Sequence, residues 1–467
     1  MKNKIIKIVL IIFTVLLIIP SIVYLVKNQT VMGFDTYYNF FIDKNANKII
    51  STIIFLVLFI GMSIIYGVIV KQKPFKAIKE ILIYVLIVSA IFAIMLPWTS
   101  SDIFYYMGVG ELDSRYHQNP YYVTMKDYYN ENKNNIDDTI FEQGAKGYWA
   151  STTVVYGPMA QLIFKLCTAI SFKNVDISLA VFKLLNLAIH LVNCYLIYKL
   201  SNKKFAVIYG LNPFILLEFL ANVHNDIIVV FFVLLALYML KHKKIVPSVI
   251  FLAIATGIKY FTILLLPVII IYHFRKEEKL SVRFLKCFQY GILFAVILVL
   301  QYALYFRDFQ VLVAMFAQTE KYTKSIHSVL LQNNKGLLKI VKPVLQIAFL
   351  GYYVKFCIDL ITQKDIKLYK TLRKYNTALI LFLLILTTFQ QWYLVWLFAT
   401  IMWQKPDMIR NIVGLSLITE IANSIYMLKS EWYVYDICFV GFIICLFIAW
   451  QLNTNKYIFK DRRKQIG

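Results

Sequence analysis

The feature that most constrains this chain is a series of long apolar runs, from end to end, punctuated by short clusters of Lys and Arg. About 20 apolar residues carry a helix across the bilayer hydrocarbon. A helix is also one of the few backbone structures that satisfies its own hydrogen bonds in lipid. The runs fall at 5–26, 49–71, 78–98, 177–198, 205–220, 226–240, 245–258, 260–273, 284–305, 338–361, 377–391, 394–404, 411–428 and 433–450. Residues 156–171 read as a further helix that dips into the outer leaflet without crossing. The expected fold is an all-α polytopic membrane protein of about 11–14 transmembrane helices. Membrane-lying helices are expected in two extracytoplasmic loops.

Composition agrees. Of 467 residues, 60% are hydrophobic, where soluble chains carry about 45–50%. No long soluble segment is left over, so residues 1–467 read as one membrane domain. Its first large outer loop is 99–155 and its second is 306–337. The N-terminal run continues past Ile19 to Val26 without a small-residue cleavage site, and reads as a retained first helix. The six cysteines lie in or beside apolar runs with no CxxC pair, as buried small hydrophobes do.

The net charge of +24 does not argue for nucleic acid. The basic residues are not gathered on a soluble face. They sit between apolar runs, as in Lys71, Lys73, Lys76 and Lys79, or Lys199, Lys203 and Lys204, or Lys241, Lys243 and Lys244. Later clusters surround Arg275, Lys367 and Lys405 and fill the C-terminal tail. The positive-inside bias puts all of them, and both termini, in the cytoplasm of a plasma-membrane protein.

That orientation forces the chain to leave and return between Lys204 and Lys241, and again between Lys244 and Arg275. Each segment becomes a helical pair whose turn faces outward. The first turn carries Asn222, His224, Asn225 and Asp226, and the second carries Lys259. Residues 101–150 hold eight acids and four bases, the reverse of the cytoplasmic loops, and read as a folded outer loop.

Several residues stand out as candidates for chemistry. Asp102 follows an apolar helix that ends at Pro97, among Trp98, Tyr105 and Tyr106. It reads either as an interfacial helix cap or as an acid placed for proton transfer. Arg115 and His117 offer donors ahead of an Asn119-Pro120-Tyr121 turn, and Tyr156-Gly157-Pro158 opens a helix. Lys259 lies inside an apolar hairpin, where an ionisable group is costly and points to function, although a snorkelling lysine is the alternative. His224, Asn225 and Asp226 exceed what a cap needs and suit sugar hydroxyls. Lys183, Asn186, His190 and Asn193 form a stripe on one helix face and read as interhelical hydrogen bonding. Trp392 and Tyr393 make an outer aromatic belt that also suits stacking on a sugar or a prenyl chain. Lys321, Lys324 and His327 are further candidate phosphate donors in the second loop.

These elements together resemble a known family. Asp102-x-x-Tyr105-Tyr106, then Asn119-Pro120-Tyr121 and a Tyr156-Gly157-Pro158 helix, look like the polyprenol-phosphate-mannose-dependent mannosyltransferases of the superclass C (GT-C) membrane glycosyltransferases. The resemblance continues through Asn212-Pro213-Phe214, Glu218, His224-Asn225-Asp226, Lys259 and Gln391-Trp392-Tyr393, covering about residues 97–400. This chain differs in having an extra pair of spans before its acid.

The resemblance implies a hexosyltransferase that moves a sugar, mannose or another hexose, from a polyprenyl-phosphate carrier to a cell-envelope glycan or lipid acceptor. Transfer occurs with inversion at the outer face. The acid of the first outer loop, Asp102 here, is the catalytic base. Lys259, Arg115, His327, His224, Asn225, Asp226, Tyr156, Trp392 and Tyr393 are the substrate-binding candidates. The expected partners are the donor lipid, the acceptor and membrane lipid, without nucleic acid. No cofactor or metal is expected, and no DxD element stands in the outer loops. Two other readings compete. A flippase or transporter of lipid-linked glycans is expected to carry inverted repeats. A polysaccharide polymerase or ligase is expected to carry an Arg-rich outer loop.

Overall fold

The computed structural model describes residues 2–28, 46–147, 149–316, 321–363 and 366–429. The expected segment 433–450, all of 429–432 except its first residue, and most of 27–48 lie outside them, as do Cys438 and Cys445. The described residues form helices joined by turns and loops, with no strand apart from one isolated parallel bridge between Thr323 and Thr388. They divide into two compact units, 1–318 and 319–467.

The first unit opens with three apolar helices: α1 (Lys2–Asn28), α2 (Ala46–Gln72) and α3 (Ile78–Ile94). The next stretch holds α4 (Asp102–Ser114), α5 (Met125–Asn132), α6 (Thr139–Lys146) and α7 (Pro158–Ala169). Next come α8 (Val175–Leu200), α9 (Lys203–Gly210), α10 (Pro213–Ala221), α11 (Asp226–Lys241) and α12 (Ile245–Thr256). The unit closes with α13 (Tyr260–His273), α14 (Leu280–Ala303) and α15 (Gln310–Phe316). The second unit contains α16 (Ile326–Asn333), α17 (Lys335–Thr362), α18 (Leu368–Ile385), short turns over 391–403, and α19 (Pro406–Lys429).

The protein is an all-α polytopic membrane protein. Five described helices (α1 and α2 over most of their length, α8, α14 and α17) are long and apolar enough to cross a membrane, and α9 with α10 makes a sixth if counted as one bent span. Many of their outward residues are apolar. Val57 is 62% exposed, Phe288 67% and Ile347 70%. Exposed apolar surface on this scale belongs against lipid.

The run 205–220, expected as one span, breaks between α9 and α10 with a bend of 50°. Pro213 has no N–H to continue the helix, and the Asn212 side chain instead caps the new start by accepting from Phe214 N. Carbonyls freed by such a break need donors, and the polar stripe of α8 supplies them. Lys183 Nζ donates to Met95, Leu220 and Ala221 carbonyls at 2.6, 3.1 and 3.1 Å. Asn186 donates to Phe219 and His224 carbonyls, Asn193 to the Ile227 carbonyl, and His190 contacts the Gly210 carbonyl. The stripe read from the sequence as interhelical hydrogen bonding does hold a broken helix in place.

The apolar run 377–391 is only partly helical. α18 begins earlier, at Leu368, and stops at Ile385, after which Thr387 and Thr388 turn to bond with Thr323 and Lys321.

Candidate active site

The site forms where the start of α4 meets the turn between α10 and α11. α10 ends in a π-turn over Leu217–Ala221, with Asn222 N bonding to Leu217 O. Such single wide turns recur at functional sites. Val223 then takes φ 63°, a left-handed conformation that a β-branched residue adopts only when its surroundings enforce it. The wide turn and the reversed residue deliver Glu218, Asn222 and His224 to the same place.

Asn222 stitches that turn to the segment before α4. Its Oδ1 accepts from Trp98 N and Thr99 N, while its Nδ2 donates to Thr99 Oγ1 at 2.6 Å and Glu218 Oε2 at 3.1 Å. Asp102 thereby reaches His224. The Asp102 carboxylate accepts from Trp149 Nε1 at 3.3 Å, and its Oδ2 lies 3.8 Å from His224 Nδ1. The other imidazole nitrogen, Nε2, lies 3.1 Å from Glu218 Oε2. His224 and Glu218 are fully buried, while the Asp102 side chain keeps 16% of its surface open. The acid therefore remains reachable, with two buried polar groups behind it.

Two residues after His224, Asp226 begins α11 and holds Lys259 Nζ at 2.9 Å from both carboxylate oxygens. Asp226 is fully buried, and the Lys259 side chain is 12% exposed. The lysine is thus ion-paired rather than snorkelling alone. Lys259 also lies 5.4 Å from the centre of the Tyr156 ring, within cation–π range. Tyr156 OH donates to Tyr106 OH at 3.2 Å. Tyr106 stands one helical turn from Asp102 on the same face of α4, closing the cluster. Burial, helped by Tyr156 and Asp102, pushes the Tyr106 hydroxyl well above its usual range, so it stays neutral.

Tyr156 reaches Lys259 because two glycines let the backbones touch. Gly157 N bonds to Ile258 O and Met159 N to Gly257 O. A Cβ on Gly157 would stand 2.3 Å from the Gly257 carbonyl oxygen. The last candidate of the turn, Asn225, is 2% exposed, and neither side-chain polar atom finds a hydrogen-bond partner within the protein.

The structure therefore joins Asp102, Tyr156, His224, Asp226 and Lys259 in one cluster. Arg115 is elsewhere. It follows the far end of α4, about 20 Å along the helix from Asp102 at 1.5 Å per residue. There its Nε pairs with buried Glu111 at 2.6 Å, near Asp138 at 4.0 Å. In the second unit, His327 is buried with Nδ1 against the Leu386 carbonyl, and Lys324 donates to Gln390. Trp392 and Tyr393 are 6% and 7% exposed, and Tyr393 stacks on Trp396 at 4.5 Å. Trp149 is not among the candidates the sequence offers, and Asn222 and Glu218 stand there only as a member of the turn and of the family-like pattern. Trp149 and Asn222 reach partners far away in the chain, at Asp102 and at Trp98 and Thr99, and Glu218 meets His224 only because of the wide turn and the reversed residue between them. No group of three or more His, Cys, Asp or Glu among the described residues is arranged to hold a metal ion.

Comparison with known families gives a match over residues 11–275 to the MptA_B family, described as alpha-(1->6)-mannopyranosyltransferase, N-terminal domain. The match covers more than half of the chain and includes the whole Asp102–Lys259 cluster. A comparison with curated proteins finds no match.

Proposed function

The chain belongs to this mannosyltransferase family, and on that premise we propose that it moves mannose from a polyprenyl-phosphate carrier to a hydroxyl of a cell-envelope glycan or lipid. We place the reaction at the extracytoplasmic face, with inversion and with Asp102 as base. The observation that carries this reading is the position of Asp102. It is a partly open carboxylate oriented by Trp149, backed by His224, and joined through Tyr106 and Tyr156 to the Lys259–Asp226 pair.

In this reading the acceptor hydroxyl enters beside Asp102 and gives its proton to the carboxylate as its oxygen bonds to the anomeric carbon. The bond from that carbon to the phosphate oxygen breaks, and the electron pair leaves with polyprenyl phosphate. A single displacement inverts the anomeric configuration. The leaving phosphate is already a stable anion and needs positive charge more than a proton donor. Lys259 supplies that charge, sharing its ammonium between Asp226 and the phosphate. Tyr106 and Tyr156 offer hydroxyl groups along the sugar path, and Asn225 offers an amide for a sugar hydroxyl.

The test is purified protein given polyprenyl-phosphate mannose and a panel of acceptors, scored for release of polyprenyl phosphate. Loss of a general base typically costs about 10²–10⁴-fold, so Asp102→Asn is expected to lose turnover on that scale while still binding donor lipid. Unchanged turnover in that variant would overturn the assignment of the base. Movement of the intact donor across vesicles at the wild-type rate, with no sugar transfer, would favour a flippase.

A further inference from the structure

At the other end of α3 from Asp102 the same unit has a cavity of about 370 Å³. α3 runs from Ile78 to Ile94, about 25 Å at 1.5 Å per residue. The cavity borders Phe75 and Ile81, before and at its first turn, while Trp98 and Asp102 follow its last. The two sites are therefore separated by the length of an apolar helix.

The walls of the cavity are of two kinds. Lys73 comes from the end of α2, and Lys203 and Lys204 from the start of α9. All three are exposed. Ile69, Phe75 and Val207 form a buried apolar floor below them. Lys73 takes φ 51° and its N–H closes the end of α2 on the Ile69 carbonyl. Glycine is the usual residue at such a left-handed cap, and a lysine there is strained. Lys203 Nζ donates to the Lys76 carbonyl at 2.5 Å, which fixes α9 against the α2–α3 connection. The nearby acid, Glu80, does not neutralise the three ammonium groups, because it is paired with Lys7 and accepts from Lys76 N.

We propose that this cavity is a binding site for the phosphate headgroup of an anionic membrane lipid, distinct from the mannosyl-transfer site. A phosphodiester satisfies the charge of the lysines. The apolar floor then receives the first methylenes of the acyl chains, which continue along the lipid-facing side of α2. A basic pocket between helix ends, opening onto apolar surface, fits an anionic headgroup better than it fits a soluble anion. A bound lipid ties α2, α3 and α9 together at the end opposite the reaction.

The experiment uses the full chain in nanodiscs of zwitterionic lipid with a minor fraction of phosphatidylglycerol, read by native mass spectrometry. Wild type is expected to retain phosphatidylglycerol. The triple variant K73A/K203A/K204A is expected to retain it at least tenfold less while remaining folded in purely zwitterionic lipid, as its melting transition there shows. K243A/K244A/K276A removes the same charge from exposed lysines elsewhere and is expected to retain lipid as wild type does. Equal loss in both triple variants overturns the site in favour of diffuse attraction. Wild-type retention in K73A/K203A/K204A overturns it outright. Displacement by sn-glycerol phosphate at a concentration equal to the lipid's assigns the cavity to a soluble phosphate and overturns the lipid.

Discussion

His224 stands between two carboxylates, its Nε2 at 3.1 Å from Glu218 and its Nδ1 at 3.8 Å from Asp102. Only the Asp102 side is open. Glu218 fixes the imidazole from behind, and the imidazole limits where the Asp102 carboxylate can turn. Misplacing a reacting group by about 1 Å costs about 100-fold in rate. His224→Gln is therefore expected to lower kcat by about that factor with donor affinity retained. Glu218→Gln keeps a hydrogen-bonding partner for the ring and is expected to lose less than Glu218→Ala. Steady-state kinetics with a donor-binding measurement checks both. A change confined to KM would place His224 in donor binding instead.

The Lys259–Asp226 pair gives a second prediction. Asp226 is fully buried, so removing Lys259 takes the paired ammonium away from a buried carboxylate. Breaking a buried pair costs about 3–5 kcal/mol, whereas removing both charges costs far less. Lys259→Met is expected to destabilise the protein on that scale, and Lys259→Met with Asp226→Asn to recover much of the loss. The double variant is expected to stay inactive, because the charge for the leaving phosphate is gone. Thermal melting in a double-mutant cycle, read beside turnover, separates stability from chemistry. Additive destabilisation would mean that the two groups do not interact.

How far the sequence reveals this site depends on how local each signal is. Asp102, the 224–226 turn and Lys259 are legible because a polar residue between apolar runs is conspicuous by itself. The stripe on α8 is legible because its spacing repeats along one helix. The break after Gly210 is harder, since Pro213 signals it but the run 205–220 is otherwise apolar apart from Asn212 and Glu218. The π-turn and the reversed Val223 leave no trace in residue type. Asn222 bonds to Trp98 and Thr99, and Trp149 to Asp102, across separations that no spacing rule covers. Arg115 shows the opposite failure. A lone guanidinium in an acidic loop suggests an anion site, yet its partner is Glu111 one turn away.

The contact of Gly157 with Gly257 predicts an effect at a distance from any reacting group. A methyl group on Gly157 meets a backbone carbonyl at 2.3 Å, and a backbone cannot rotate aside as a side chain can. Gly157→Ala is expected to push α7 away from the 257–259 turn and move Tyr156 off Lys259. Turnover is expected to fall about tenfold or more, in keeping with the sensitivity of rate to small displacements. Gly291→Ala is the control, because a Cβ there meets nothing within 4 Å. Equal activity in both variants would show that the approach at Gly157 does not govern the position of Tyr156.

Glu111 carries the last prediction, on pH. Burial pushes its carboxyl up to about 7, outweighing the hydrogen bond from Arg115 that lowers it, with neighbouring Asp138 adding to the rise. The unfolded chain releases this proton near 4.5, so between about 4.5 and 7 the folded state binds more protons than the unfolded one. Stability then falls as pH rises through that window. Below it both states are protonated and no cost arises, and above it the full cost is present. Glu111→Gln keeps the shape without the titration. It is expected to flatten the decline in melting temperature between pH 4.5 and pH 7 and to raise stability above pH 7. The variant loses the Arg115 ion pair, but Arg115 stays partly exposed and keeps solvent for its charge. Melting curves of wild type and variant across that range decide the matter, and parallel curves would place the titrating group elsewhere.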